Sequence, residues 1–140
     1  MIQRVQTLWL LLVTALGVAS LKTSFFQGSK LKDAVIQPAE VVTASYNIML
    51  MVSTIAMATL AFLSIFLFSN RKLQIKVVFA ALFLSIITIL LYYWQSKAFT
   101  ASGTFTITAI LPLSNPIWLI IALRHIYKDE KLIKSLDRLR

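Results

Sequence analysis

The sequence predicts an all-α membrane protein: a four-transmembrane-helix bundle with a cytoplasmic amphipathic C-terminal helix. Three observations carry that reading. The chain is 59% hydrophobic and only 14% charged, against about 25% charged in soluble domains. Its mean hydropathy is +0.82. Its charges gather into clusters, and between them stand four uncharged runs, each near the ~20 residues that a helix needs to cross a bilayer. A soluble fold of 140 residues has too little interior to bury four such runs. We therefore expect one integral membrane domain over residues 1–140, with spans at about 5–21, 48–68, 75–95 and 106–123 and a cytoplasmic tail at 124–140.

The first run follows Arg4 and reads LWLLLVTAL before the small residues GVAS. That make-up also describes a secretory signal peptide cleaved after Ala19. We expect the segment to be retained as the first span. The second run holds eleven Leu, Ile, Phe or Val residues. Together they favour insertion by roughly 3–7 kcal/mol. Against them stand only Ser53, Thr54, Thr59 and Ser64, whose hydroxyls can bond back to their own helix carbonyls. Small residues at Ala15 and Ala19, Thr54 and Ala58, and Ala81 and Ser85 offer faces for close helix approach. Trp9, Tyr92, Tyr93, Trp94 and Trp118 suit interfacial belts in part, with YYW marking the outer end of span three.

Lys and Arg set the orientation. Arg4, Arg71, Lys72, Lys76 and the six cations of the tail stand on one side, against Lys22, Lys30, Lys32 and Lys97 on the other. Ten against four places both termini in the cytoplasm. The net charge of +9 is thereby explained by flanking charges, and no nucleic-acid partner is expected. On the opposite side, residues 22–46 and the alternating stretch Thr104–Thr108 (TFTIT) read as short strands or hairpins on the outer end of the bundle.

Chemistry is sparse. With no cysteine, disulfides, thiol catalysis and cysteine-ligated metals are excluded. The uncharged runs within the spans hold no charged residue, the usual mark of a proton relay or transport path. A single His125 cannot supply two axial haem ligands. Asp129, Glu130 and Asp137 have cationic neighbours along the chain and read as solvated salt-bridging groups. No catalytic, cofactor or metal residue is expected. One irregularity remains, LPLSNP at Leu111–Pro116. Pro112 and Pro116 each lack an N–H, so two rungs of the ladder are forfeited, with Asn115 between them. This is read as a structural kink, or alternatively as a helix break lining a small site.

The tail is amphipathic: Ile126, Leu132, Ile133, Leu136 and Leu139 share one arc, and Glu130, Lys131, Lys134, Asp137 and Arg138 lie opposite, so it either continues span four into the cytosol or turns onto the surface as an interfacial helix. Its acids point to docking within the protein or on a partner. We expect Arg4 to pair with Asp129 or Glu130 and hold the tail's first turn, leaving Leu132, Ile133, Leu136 and Leu139 to meet lipid or a partner. The opening MIQRVQTLWLL and the close DEKLIKSLDRLR resemble those of a bacterial family of small four-span inner-membrane proteins described only as a domain of unknown function. The likeness covers the whole chain, and it implies a fold and a location but no activity. The function expected is a non-enzymatic accessory or scaffold subunit, its partners the bilayer and other membrane proteins. The alternative is a small transporter or small-molecule-binding protein using the Pro112–Asn115–Pro116 break.

Overall fold

The computed structural model describes residues 3–29, 31–32, 35–36, 40–97, 99 and 103–137. Among these residues four helices dominate: α1 (Gln3–Ser20), α2 (Ile48–Phe66), α3 (Arg71–Ser96) and α4 (Ile110–Asp137). Short 3-10 turns at Leu67–Ser69 and Ile107–Ala109 join α2 to α3 and lead into α4. Asparagines start two of the helices. Asn47 Oδ1 accepts from the Met49 amide at 3.1 Å and Asn70 Oδ1 from the Leu73 amide at 3.4 Å, each satisfying an amide that has no partner within its helix. Three segments, Ile48–Ser69, Arg71–Ser96 and Ile107–Leu132, are long and apolar enough to cross a membrane; Val5–Ser20 is a shorter apolar helix.

Five short strands accompany the helices among the described residues: β1 (Phe26–Gly28), β2 (Leu31–Lys32), β3 (Val35–Ile36), β4 (Glu40–Val42) and β5 (Thr104–Phe105). β1 is the centre of an antiparallel sheet, paired to β4 through Phe26 and Val42 and to β5 through Phe26 and Phe105. β2 and β3 pair separately. Both outer segments expected to form strands therefore contribute to one sheet, although Thr104–Thr108 is strand only at Thr104–Phe105 and turns into a 3-10 segment at Ile107–Ala109. That sheet sets the topology, because it gathers the C-terminus of α1 and the N-termini of α2 and α4 at one end. Phe25 stacks on Tyr92 with ring centroids 4.2 Å apart, which brings the C-terminus of α3 to the same end. Gly28 and Gly103 pack closely at this seam: a Cβ on Gly28 would stand 2.9 Å from the Gly103 Cα.

Each helix packs on two others: α1 and α3 both lie against α2 and α4. The buried positions recur at alternating steps of three and four. In α1 they are Gln6, Leu10, Val13, Gly17 and Ser20, and in α3 they are Gln74, Val78, Ala81, Ser85, Thr88 and Tyr92. This is the seam spacing of helices crossing at a shallow angle. The middle of the bundle is apolar, with Leu10, Val13, Met57, Ala61, Val78, Ala81, Leu119 and Ala122 in one cluster. The close approach of α1 comes at Gly17, where a Cβ would meet that of Ala58 at 3.1 Å. Ala15 is exposed, so the small-residue face expected at Ala15 and Ala19 is not the contact face. The stripe through Gly17 is.

Large apolar side chains face outward instead. Leu8, Leu11, Val52, Phe62, Phe79, Phe83, Leu90 and Ile117 are all exposed. The interior holds small and hydroxyl-bearing residues whose oxygens bond to their own helices: Ser53 and Thr54 donate to Leu50 O, Ser64 to Ala61 O and Thr88 to Leu84 O, at 2.6–3.1 Å. The hydroxyls of α2 thus bond back to their own carbonyls, as the sequence leads one to expect. Such self-satisfied polar groups need no water, and small residues inside let the helices close in.

Candidate functional site

Away from the sheet, the apolar middle gives way to a polar base assembled from all four helices. Gln6 of α1, Ser64 of α2, Gln74 of α3 and Asp129 of α4 are each buried there. Their helices deliver them because each continues the buried stripe by one further step past Leu10, Ala61, Val78 and Ile126. The Gln74 amide donates from Nε2 to Ser64 O at 3.0 Å, joining α3 to α2. Arg71 Nη1 donates to Asp129 Oδ2 at 3.3 Å, joining α3 to α4. Just inside this base, the Trp9 and Trp118 rings stack at 5.1 Å and 9° and so tie α1 to α4. These contacts run across three of the four helix–helix seams.

The electrostatics are those of a nearly dry ion pair. The Asp129 side chain is 5% exposed and that of Arg71 13%. Two charges withdrawn from water in this way gain from each other only when both stay in place. One carboxylate oxygen is committed to Arg71. No described protein group donates to the other, Asp129 Oδ1, or to Gln6 Oε1, Gln74 Oε1 or Asn115 Oδ1, all of them buried. At the base the Asp129, Gln6 and Gln74 oxygens are thus acceptors without a described donor, and the Trp9 indole N–H just inside it is a donor without a described acceptor. The chemistry of the base is bracing, by charge and by amide hydrogen bonds. Among the described residues no three His, Cys, Asp or Glu side chains stand together as metal ligands.

Asp129 was expected to be a solvated salt-bridging group. It is buried, because α4 runs on as one helix past the last apolar residues and carries Asp129 onto the same stripe as Ile126 and Ala122. Glu130 is half-buried and Leu132 exposed. The expected Arg4 pairing and the docking stripe rest on Arg138 and Leu139, which lie outside the described residues, and on the side chains of Arg4, Ile133 and Leu136, which are not described either. Arg71, Gln6 and Gln74 were missed. The signal that finds them is the three–four spacing, which puts Gln6 and Gln74 in line with the core positions of their helices and Arg71 one step further along that of α3.

The LPLSNP stretch does not break α4, which runs unbroken from Ile110 to Asp137 with only Pro116 in its interior. Pro112 falls in the first turn, where an amide has no partner to lose, so one rung is missing rather than two. Ser114 Oγ donates to Leu111 O at 2.9 Å, and Asn115 points into the bundle. Three of the expected belt aromatics also turn inward: Tyr92 is fully buried beneath Phe25, and Trp9 and Trp118 are half-buried, whereas Tyr93 and Trp94 are exposed.

A family model described as a domain of unknown function, DUF4293, matches residues 2–139. The chain belongs to that family. No curated protein and no solved structure matches it. In this DUF4293 chain the match embraces α1 through α4, so the sheet-capped end and the polar base both lie within the family's unit. Among the described residues, two grooves line its flanks. One of 220 Å³ lies between α1 and α2 beside Gly17 and Ala58, and one of 460 Å³ between α2 and α3 beside Ser53 and Leu91. Neither borders Asn115.

Proposed function

We propose that the protein is a four-span membrane bundle, with both termini on the cytoplasmic side of a bacterial inner membrane, acting as a non-enzymatic accessory or scaffold subunit. The observation that carries this is the apolar outer surface. Large apolar groups are exposed on all four helices, and the interior mixes apolar residues with small ones and with hydroxyls that bond to their own helices. A soluble bundle has no use for that arrangement, whereas in lipid it is the expected one. The 18 residues of α1 rise about 27 Å, close to a hydrocarbon core of about 30 Å. Its exposed Leu8, Leu11 and Val18 match the outward faces of the longer helices, which supports counting it as the fourth span. The ten-to-four asymmetry of Lys and Arg supports the orientation.

The closed apolar layer at Leu10, Met57, Val78 and Leu119 separates the two polar ends. That supports a structural role over a conducting one. The second reading, a small-molecule site beside the Pro116 rung, draws on the buried Asn115 carbonyl with no described donor. Two measurements separate the readings. Reporters active only in the cytoplasm should work after Arg140 and fail at Gly28, and activity at Gly28 overturns the four-span topology. The native-membrane form should run as a stoichiometric complex larger than one chain. A lone chain that carries solute flux in liposomes overturns the scaffold reading.

A further inference from the structure

The Arg71–Asp129 contact does more than brace the base. It fixes the register of two antiparallel neighbours, α3 and α4, at one end of the bundle. One residue in from that contact on each helix, Lys72 comes level with Lys128. Five residues in, Lys76 comes level with Arg124. All four are exposed. Each helix carries its two cations one turn apart, about 6 Å along the axis, and packed helix axes lie about 8–10 Å apart. The outward faces of α3 and α4 thus carry four cations in two rungs at matching depths. The acid nearest to them, Asp129, is turned inward and already held by Arg71; Glu130 is half-buried.

What lies beyond these rungs identifies their occupant. Immediately toward the bundle's middle, the outward faces of the same helices become apolar, with Phe79 and Phe83 on α3 and Ile117 and Ile120 on α4, all exposed. A soluble anion would use the cations and leave that surface bare. An anionic phospholipid uses both, with its phosphate at the rungs and its acyl chains along the phenylalanines. We infer that Lys72, Lys76, Arg124 and Lys128 form a headgroup site for an anionic phospholipid on the α3–α4 face, at the end of the bundle opposite the sheet. This rests on the membrane reading but not on which leaflet that end occupies.

The test uses the full chain extracted from vesicles of equal phosphatidylglycerol and phosphatidylcholine, with bound lipid counted by native mass spectrometry. Phosphatidylglycerol should be retained in clear preference. Lys72→Gln with Lys128→Gln should weaken it by about fivefold for each charge removed, and Lys72→Arg with Lys128→Arg should keep it. Lys22→Gln with Lys97→Gln, at the sheet end, should change nothing. Equal retention of the two lipids overturns the site, as does an equal loss in the Lys22/Lys97 variant or displacement by millimolar inorganic phosphate. Retention of lipid of either class reports membrane embedding by itself, so failure of that reading registers separately.

Discussion

Removing Arg71 should be worse than removing the charge of Asp129, and the difference follows from their burial. Arg71→Met leaves a carboxylate whose side chain is 5% exposed, with neither oxygen bonded to a described protein group, since Oδ1 has no donor already. An unpaired buried charge of this kind costs about 3–5 kcal/mol. Asp129→Asn leaves the guanidinium, whose longer stem already reaches 13% exposure and can carry the charge outward. The loss is then closer to that of one charged hydrogen bond, about 1.5–3 kcal/mol. With the carboxylate neutralised, the double variant should be little worse than Asp129→Asn alone. The coupling energy of the cycle should therefore be at least about 2 kcal/mol. Unfolding of the four proteins by titration with a denaturing detergent, followed by helical circular dichroism, gives all the terms. Additive losses, with coupling below about 0.5 kcal/mol, would show that the two side chains do not hold each other and that the polar base is not braced by charge.

Truncation after Leu132 should leave the unfolding midpoint nearly unchanged, whereas truncation after Tyr127 removes Asp129 and should lower it clearly. Equal behaviour of the two truncations refutes this. Pro116→Ala restores one rung to α4 and should be neutral or stabilising by about 1 kcal/mol, as read by the same titration; a large loss would mean that the missing rung serves a site at Asn115. Gly28→Ala places a methyl against the Gly103 backbone and should part β1 from its neighbours. Amide hydrogen exchange at Phe26 and Val42 should then accelerate while the helices keep their protection, and an unchanged rate would refute the tight seam.

Element existence was legible because hydropathy and charge spacing act over long windows, where twenty residues speak together. The runs at 48–68 and 75–95 fall within α2 with its 3-10 turn and within α3. The boundary drawn at residue 123 marks where the apolar run gives way to charge and not where the helix ends; α4 continues to Asp137, one of the two courses open to the amphipathic tail. The polar base was hidden for a related reason. Gln6, Gln74 and Asp129 look like flanking residues when read by composition. Only the three–four periodicity, followed past the last hydrophobic residue, places them inside. Arg71 was counted for orientation alone, because its partner lies 58 positions away and no local pattern links them. The failure at Pro112 was one of position: the cost of a proline depends on whether its amide would have had a partner, and the start of α4 at Ile110 decides that it would not.

The central place of β1 also orders the making of the molecule. Strand β4 comes just ahead of α2, so β1 finds its first partner early in synthesis. Its second, β5, exists only after α2 and α3 have both been completed. Until then β1 keeps one open edge, with unpaired backbone groups ready to accept a strand from another chain. The arrival of the segment leading into α4 closes that edge. The two residues of β5 are thus the last part of this sheet to be made, and a nascent chain halted before residue 104 leaves that edge of β1 open.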